Sequence, residues 1–238
     1  MKNEILYILV LYGVSKEESR AWQSLKALLS AGELEHNVYI HDNTAHNIYL
    51  AAAYNKGLAY AVANKFPYVV LLDDDASLTE QYMNAVKQAT ASGNQRMVWA
   101  PRLTNPRHQT LSPRHRWMMK IAFNSGLLLP VSILQEIGGF NTDYPLDYLD
   151  YWLCYQLHQR HIPILTLPAT IMHDLSVNDY KRVSRERYQS LLLAEKRFAE
   201  ETGKRLYYRL LLLGRLIKWS LTGHLYIKET KNALFAKL

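Results

Sequence analysis

The sequence predicts an α/β fold in which helices flank a mostly parallel central sheet and a C-terminal helical appendage follows. Apolar strand patterns alternate with helical patterns through the first half of the chain, as is typical of a parallel sheet covered on both faces. Acidic residues stand at the carboxyl ends of two of the predicted strands. From about Lys181 onward the pattern is helical and basic, which indicates a region distinct from the sheet.

The first half of the chain carries the alternating pattern. Its strands are short apolar runs, whereas its helices place apolar residues on one face. In chain order the pattern predicts a strand at 5–11, a helix at 15–29 with Gly32 as its stop, a strand at 38–40, a helix at 49–65, a strand at 68–72, a helix at 79–90 and a strand at 97–100.

The second half is less regular. In chain order it predicts a basic, proline-bearing loop at 101–113, a strand at 121–131, a turn at 138–140, a helix at 149–159 and a strand at 162–167. We therefore expect a sheet domain over residues 1–180 and a basic amphipathic helical region over residues 181–238.

Composition limits the classes of protein and partner. The 238 residues are 49% hydrophobic and 21% charged, as in globular proteins. The net charge of +7 favours phosphorylated or polyanionic partners, but no basic recognition helix, aromatic RNA-binding signature or zinc spacing indicates nucleic acid. Cys154 is the single cysteine, which fits a reducing compartment. No stretch reaches the roughly 18 apolar residues of a spanning helix, so we expect a cytoplasmic protein.

The run Asp73-Asp74-Asp75 is the sharpest chemical signal. Three carboxylates after an apolar strand repel one another and are costly to desolvate. A bound Mg²⁺ or Mn²⁺ removes that cost, because both ions prefer carboxylate oxygens and share them with substrate phosphates. The alternative is a solvated acidic turn, with Asp75 capping the next helix.

Four further residues have side chains suited to a site. Asp147 and Asp150 lie three residues apart at a predicted helix start, so they share a face; one of them could act as a general base, or both could compensate the helix dipole. His173 is a metal ligand or a hydrogen-bonded structural residue. Asp42 ends a strand and could accept hydrogen bonds from a nucleotide or form an Asx turn.

Taken in order and at these intervals, the segments resemble family 2 glycosyltransferases of the GT-A fold, closest to the rhamnosyltransferase-like branch. The resemblance covers about residues 5–176. Its pieces are the opening strand with Tyr12, then His41-Asp42-Asn43-Thr44, Asn47 to Gly57, Leu71 to Asp75, Asn124-Ser125-Gly126, Ile137 to Asn141, Asp147 to Asp150, and Met172-His173-Asp174.

The resemblance implies an inverting transferase that moves a sugar from a nucleotide diphosphate donor, dTDP-rhamnose or a UDP-hexose, to an acceptor hydroxyl. It implies Mn²⁺ or Mg²⁺ as cofactor and a glycan or lipid-linked glycan of cell-surface polysaccharide synthesis as acceptor. The implied roles are Asp150 as catalytic base, Asp75 and His173 as metal ligands, Tyr12, Asp42, Asn55, Asp73 and Asp74 as donor contacts, and Gly139, Asp147 and Trp152 as acceptor contacts.

Four positions depart from what relatives often carry: a glycine is replaced by Tyr49, a basic residue by Tyr54, an acidic residue by Trp152 and an arginine by Gln156. These departures bear on donor and acceptor contacts more than on the reaction class. They keep open a binding protein for nucleotide or anionic lipid with a degenerate GT-A fold. A phosphohydrolase of the haloacid dehalogenase type is a weaker alternative, because two strand–helix units precede the aspartates.

The C-terminal region carries an amphipathic pattern over residues 204–221. Apolar residues share one predicted helical face, and basic residues accompany them. Such a helix can lie on an anionic membrane, at the inner face of the cytoplasmic membrane. It can equally pack on the sheet domain or on a second subunit in a homo-oligomer.

Overall fold

The computed structural model describes residues 5–111, 119–173, 183–223 and 225–235. The chain divides after residue 174 into two compact units. The predicted boundary between residues 180 and 181 lies outside the described residues and stays a prediction.

Six strands and six helices of the described residues form the first unit, and three helices form the second. Their bounds are β1 Ile5–Leu11, α1 Arg20–Leu28, α2 Ala31–Asn37, β2 Val38–Asp42, α3 Tyr49–Ala63, β3 Tyr68–Asp73, α4 Glu80–Ala91, β4 Val98–Thr104, β5 Leu128–Pro130, α5 Val131–Glu136, α6 Leu149–Gln159, β6 Ile164–Met172, α7 Arg185–Glu201, α8 Arg205–Thr222 and α9 Ile227–Phe235.

The six strands form one sheet in the order β2-β1-β3-β5-β4-β6. Every neighbouring pair is parallel except the two pairs made by β5, which runs antiparallel to β3 and β4. The predicted mostly parallel sheet is therefore confirmed. Because β1, β2, β3, β4 and β6 share a direction, their carboxyl ends meet at one edge, where ligands bind in open α/β sheets.

The core explains why β1 and β3 read as continuous apolar runs. All seven residues of β1 are buried, and so are the first five of β3. Strands of a parallel sheet are covered on both faces, so neither face can be polar. The first polar position of β3 is its last residue, Asp73, where the strand reaches the sheet edge.

The predicted helix at 15–29 is divided differently. It begins at Arg20, capped by the Ser19 side chain, and ends at Leu28. Ser30 and Glu33 then form a capping box that starts α2. Gly32 therefore lies inside a second helix, and the expectation that it stops the first one is wrong. A reciprocal cap satisfies two orphan N–H groups, which outweighs the low helix propensity of one glycine.

Three strand predictions also needed correction. The predicted loop at 101–113 begins too early, because β4 continues to Thr104 beside β6, with an irregularity between Ala100 and Arg102 that accommodates a proline. The predicted strand at 121–131 is a strand only at β5, because the chain turns at Gly126 with φ +76°. Helix α5 was not predicted, and β6 runs on to Met172.

The second unit packs its helices around a buried polar pair. Glu195 of α7 accepts two hydrogen bonds from the Arg215 guanidinium of α8, at 2.7 and 3.0 Å. Arg215 also donates to the Tyr188 hydroxyl. None of the helices in the described part of the chain combines the length and the hydropathy that a membrane span requires.

Candidate functional site

The loops after β1, β2 and β3 are tied together at the sheet edge. The Tyr12 backbone N–H donates to Asp74 Oδ2 at 3.0 Å, and the Gly13 N–H donates to Thr44 Oγ1 at 3.1 Å. Asp42 Oδ1 accepts from the Thr44 N–H at 2.7 Å, so Asp42 forms an Asx turn. Hydrogen bonds from the side chain and the backbone of Thr44 lower the pKa of Asp42. The Tyr12 side chain is 62% exposed, which leaves its ring free to stack on a ligand.

The acidic triplet begins in the sheet and leaves it. Asp73 ends β3 and accepts a hydrogen bond of 3.0 Å from the Tyr54 hydroxyl. Burial raises the pKa of Asp73, and the nearby Asp75 charge adds to the rise, whereas His173 and the Tyr54 hydroxyl lower it. Burial likewise raises the pKa of Asp74, against the hydrogen bond from Tyr12. Thr79 caps α4, so the alternative of Asp75 as its cap does not hold.

His173 lies beside the acidic triplet although it follows β6, which is an edge strand of the sheet. It follows β6, is 5% exposed and donates its backbone N–H to Thr104 at 2.8 Å. Its Nδ1 lies 2.8 Å from Asp75 Oδ1, and its Nε2 lies 3.7 Å from Asp73 Oδ2. Two backbone hydrogen bonds between Ser77 and Met172 join the two loops. The predicted residues Asp73, Asp75 and His173 are therefore brought together.

The donor atoms partly fit a divalent cation. Asp75 Oδ1 is buried and accepts no hydrogen bond from the described residues, although the His173 nitrogen is 2.8 Å away. A carboxylate oxygen beside an imidazole nitrogen suits Mn²⁺ or Mg²⁺. Within residues 5–111, 119–173, 183–223 and 225–235, no three acidic, histidine or cysteine side chains group as a metal site. The protein atoms therefore fit a cation only in part, and Mg²⁺ usually takes its other ligands from substrate phosphates and water.

Asp150 lies in the first turn of α6, whose preceding residue Tyr148 has φ +64°. Burial raises the pKa of Asp150 to about 7, with contributions from the Asp147 and Asp73 charges. The Tyr151 N–H, 2.9 Å from Asp150 Oδ1, opposes the rise. A carboxylate with a pKa near neutrality can both hold and release a proton at working pH, as a general base requires.

Two residues that were predicted to contact ligands also have structural partners. The Asn55 side chain donates to the Phe140 carbonyl at 2.7 Å and accepts from the Phe140 N–H at 2.8 Å. Gly139, with φ +84°, lies so close that a Cβ there would be 2.7 Å from Asn55 Oδ1. The Asn55–Gly139 pair thus holds the turn that follows α5, and a direct contact of either residue with a ligand stays a prediction.

Trp152, predicted to contact the acceptor, is only 6% exposed. Its ring stacks on Tyr144, with ring centroids 6.5 Å apart. This packing supports the start of α6, and a contact between the indole and an acceptor stays a prediction. The burial of Trp152 could not be read from the sequence, because it depends on packing against Tyr144, eight residues away.

Sequence reasoning missed the role of Tyr54. Its hydroxyl is buried against Asp73, its ring packs on Phe140 at a centroid distance of 5.2 Å, and the Asp150 charge also acts on it. The available signal was weak, because Tyr54 is one of three tyrosines in an alanine-rich helical segment. Asn124 and Ser125 are also buried, and their side-chain oxygens have no hydrogen-bond partner among the described residues.

No protein-family model matches the sequence, and no curated protein matches it. The fold is similar to solved structures of TarS from S. aureus. A structure of TarS residues 1–349 has a TM-score of 0.55 at 12% identity, covering 98% of this chain and 79% of that one. The complexes with UDP and UDP-GlcNAc have TM-scores of 0.56 at 13% and 12% identity. A longer TarS structure is matched over 46% of its length, with a TM-score of 0.52.

These similarities span the sheet and the C-terminal helices, because they cover nearly the whole chain. Identity this low shows the fold alone. The chain has the GT-A fold, with a six-stranded central sheet flanked by helices and a helical C-terminal appendage.

Proposed function

We propose that this protein is an inverting glycosyltransferase that moves a sugar from a nucleoside diphosphate donor to an acceptor hydroxyl. Asp150 carries the proposal: a carboxylate with a pKa of about 7 is held beside an acidic triplet at the ligand-binding edge of a GT-A sheet. TarS, a glycosyltransferase of the same fold, has been solved with UDP and with UDP-GlcNAc, which supports a nucleotide sugar as donor.

The donor would bind across the ends of β1, β2 and β3. Tyr12 and Asp42 would flank the base, and Asp73 would contact the ribose or the donor sugar. Asp74 holds the Tyr12 backbone in place. Asp75 and His173 would hold Mn²⁺ or Mg²⁺ at the diphosphate. When bound, that cation neutralises charge on the departing nucleoside diphosphate. A UDP-hexose and dTDP-rhamnose are the two donors that we propose to test first.

Asp150 would act on the acceptor. Its ionised carboxylate accepts the proton of the acceptor hydroxyl while that oxygen forms a bond to the anomeric carbon. The bond from the anomeric carbon to the diphosphate oxygen breaks on the opposite face, so the configuration inverts. Asp147 helps to keep the pKa of Asp150 high enough for this transfer. We propose a glycan or a lipid-linked glycan of cell-surface polysaccharide synthesis as the acceptor.

Donor binding and transfer are tested separately. Calorimetric titration with UDP-GlcNAc, UDP-hexoses and dTDP-rhamnose, each with and without Mn²⁺, should select one nucleotide class and show metal-dependent binding. Asp75→Ala should lose the metal dependence. Asp150→Asn should bind the donor normally but lose transfer to the acceptor by at least a hundredfold, the usual contribution of a general base. Asp143→Asn, an exposed carboxylate in the same region of the chain, is the control for both variants.

The outcomes separate the alternatives. Donor binding without transfer to any glycan or lipid-linked acceptor would favour the binding protein with a degenerate GT-A fold. Phosphate release from phosphomonoesters without an acceptor would favour the haloacid dehalogenase type. No binding of any nucleotide sugar would overturn the proposal.

A further inference from the structure

Helix α8 of the second unit has two apolar faces. One face is buried: Tyr208, Leu212 and Trp219 are at most 5% exposed. On the opposite side of the helix, five aliphatic side chains are 44–83% exposed. These residues form what we call the apolar stripe, which consists of Leu206, Leu210, Leu213, Ile217 and Leu221.

The spacing of the apolar stripe keeps it on one side of the helix. Its members follow one another at intervals of four, three, four and four residues, which is one face of an α-helix. The core of the unit lies against the other face, so the stripe contributes nothing to packing among α7, α8 and α9 that the described residues show. A contiguous exposed apolar patch of this kind marks an interaction surface.

Basic residues border the apolar stripe. Arg209 and Lys218 are exposed on either side of it. The border reflects a wider separation of charge: residues 175–238 contain 14 basic and six acidic residues, a net charge of +8. Residues 1–174 contain 14 basic and 15 acidic residues, a net charge of −1. The net positive charge of the chain therefore comes entirely from residues 175–238, the region that carries the apolar stripe.

We propose that the apolar stripe of α8 lies on an anionic lipid surface. The five aliphatic side chains enter the boundary between headgroups and acyl chains, and Arg209 and Lys218 contact lipid phosphates. A helix with an apolar face and basic flanks binds in the plane of a bilayer in this way. With four basic residues within its 18 positions, α8 lies along the surface instead of crossing it.

Charge decides between the lipid surface and a second copy of the chain. Two copies pairing through their stripes would bring two regions of +8 together, and like charges across an interface are unfavourable. An anionic bilayer has the opposite charge and attracts each basic residue near its surface. This inference concerns the second unit and does not depend on the proposed transferase activity.

The test is co-sedimentation of the full chain with sucrose-loaded vesicles. Vesicles of phosphatidylcholine alone are compared with vesicles that also contain phosphatidylglycerol, without nucleotide sugar. We expect at least about a tenfold preference for the anionic vesicles, falling as salt rises, because surface charges are screened over about 10 Å at 0.1 M ionic strength. Asp150→Asn should bind like the wild type, so failure here would leave the transferase proposal untouched.

Two pairs of variants separate the apolar and the basic contributions. Leu210→Gln with Ile217→Gln should weaken binding roughly 30-fold by removing two inserted side chains. Arg209→Gln with Lys218→Gln should weaken binding to anionic vesicles about 25-fold, at about fivefold per charge. The matched controls are Leu193→Gln, an exposed leucine on α7, and Lys26→Gln with Lys87→Gln in the first unit.

Because every substituted side chain is exposed, the variants should keep the wild-type circular dichroism and thermal midpoint. Equal binding to neutral and anionic vesicles would overturn the proposal, as would stripe variants that bind like the controls. Self-association of the wild type in sedimentation velocity that the stripe variants abolish would assign the stripe to a second copy instead.

Discussion

The pKa of Asp150, about 7, links the proposed reaction to the stability of the folded protein. In the unfolded chain an aspartate titrates near 3.8. Between these two values the folded protein holds a proton that the unfolded chain has released. The stabilisation from this group is therefore complete below about pH 4 and is lost as the pH rises through 7. A general base in a buried site destabilises its own fold at the pH where it works.

The first prediction follows from this linkage. Asp150→Asn should be more stable than the wild type at pH 8 and no more stable near pH 4. The pKa difference sets an upper bound of about 4 kcal/mol, and partial exposure of the carboxyl reduces the expected gain to about 1–3 kcal/mol. Thermal unfolding at both pH values measures it, with Asp143→Asn as the control. Equal pH dependence in wild type and Asp150→Asn would contradict the assignment.

A companion prediction concerns rate. Transfer by the wild type should rise about tenfold per pH unit below pH 7 and level off above it, because only ionised Asp150 accepts the proton. Initial rates at saturating donor give the profile. A profile that is flat between pH 5 and pH 8 would show that another group is the base.

Tyr54 also acts through a single interaction, because its hydroxyl donates a hydrogen bond to Asp73. Tyr54→Phe should remove a hydrogen bond from that partly buried carboxylate, at a cost of about 1 kcal/mol. We expect weaker donor binding and an unchanged pH profile, because Asp150 is left in place. Calorimetric titration with the donor checks the first effect. Tyr60→Phe on the same helix, whose side chain is 38% exposed, is the control and should bind the donor like the wild type.

At the scale of elements, hydrogen bonds made by Asn55 of α3 hold the turn that follows α5, an arrangement that we call the Asn55–Gly139 lock. The Asn55 amide takes both hydrogen-bonding groups of Phe140, and Gly139 leaves room for it. Gly139→Ala should therefore cost about 2–3 kcal/mol, from the positive φ and from the disturbed pair of hydrogen bonds. Gly138→Ala is the matched control: its φ is +82°, but its Cβ would meet nothing within 4 Å. Denaturant unfolding that gave equal losses would contradict the lock.

Local patterns predicted several elements closely. The bounds of β1 and α6 agree with the sequence, because buried strands and helices have clear apolar periods. The sequence also contains a signal for the start of α2, because Ser30 and Glu33 stand in capping-box spacing. The prediction of a helix stop at Gly32 conflicts with that signal. The antiparallel insertion of β5 could not be predicted, because strand order depends on contacts distant in the sequence.

The site was predictable in its residue types and less so in its partners. Asp73, Asp75 and His173 were expected together and lie together. The hydrogen bonds of Asn55 and the burial of Trp152 could not be predicted. Both depend on tertiary neighbours, which a single sequence does not show.

At the scale of the whole molecule, the two units have different kinds of core. The first is apolar around its sheet, whereas the second encloses the ion pair of Glu195 and Arg215. Glu195→Gln should destabilise the second unit by about 3 kcal/mol, because it removes the carboxylate charge that compensates the buried Arg215 guanidinium. Glu200→Gln, on the same helix but in a looser pair with Lys196 at 3.9 Å, should change stability by less than about 0.5 kcal/mol.

Calorimetric unfolding measures both variants, and donor affinity should be unchanged in each because the residues lie outside the first unit. An equal, small effect of both substitutions would show that the buried pair is not needed for stability.

The backbone bridge between Ser77 and Met172 has a consequence for ligand recognition. Asp75 stands two residues before one end of the bridge, and His173 directly follows the other. Their spacing is thus established when the chain folds, before any donor arrives, so binding does not have to order two separate loops. The amide protons of Ser77 and Met172 should exchange slowly with solvent in the free protein and change little on saturation with a nucleotide sugar. The proposed metal-binding pair is in this sense preorganised, and we expect discrimination among donors to depend on the proposed contacts at Tyr12 and Asp42.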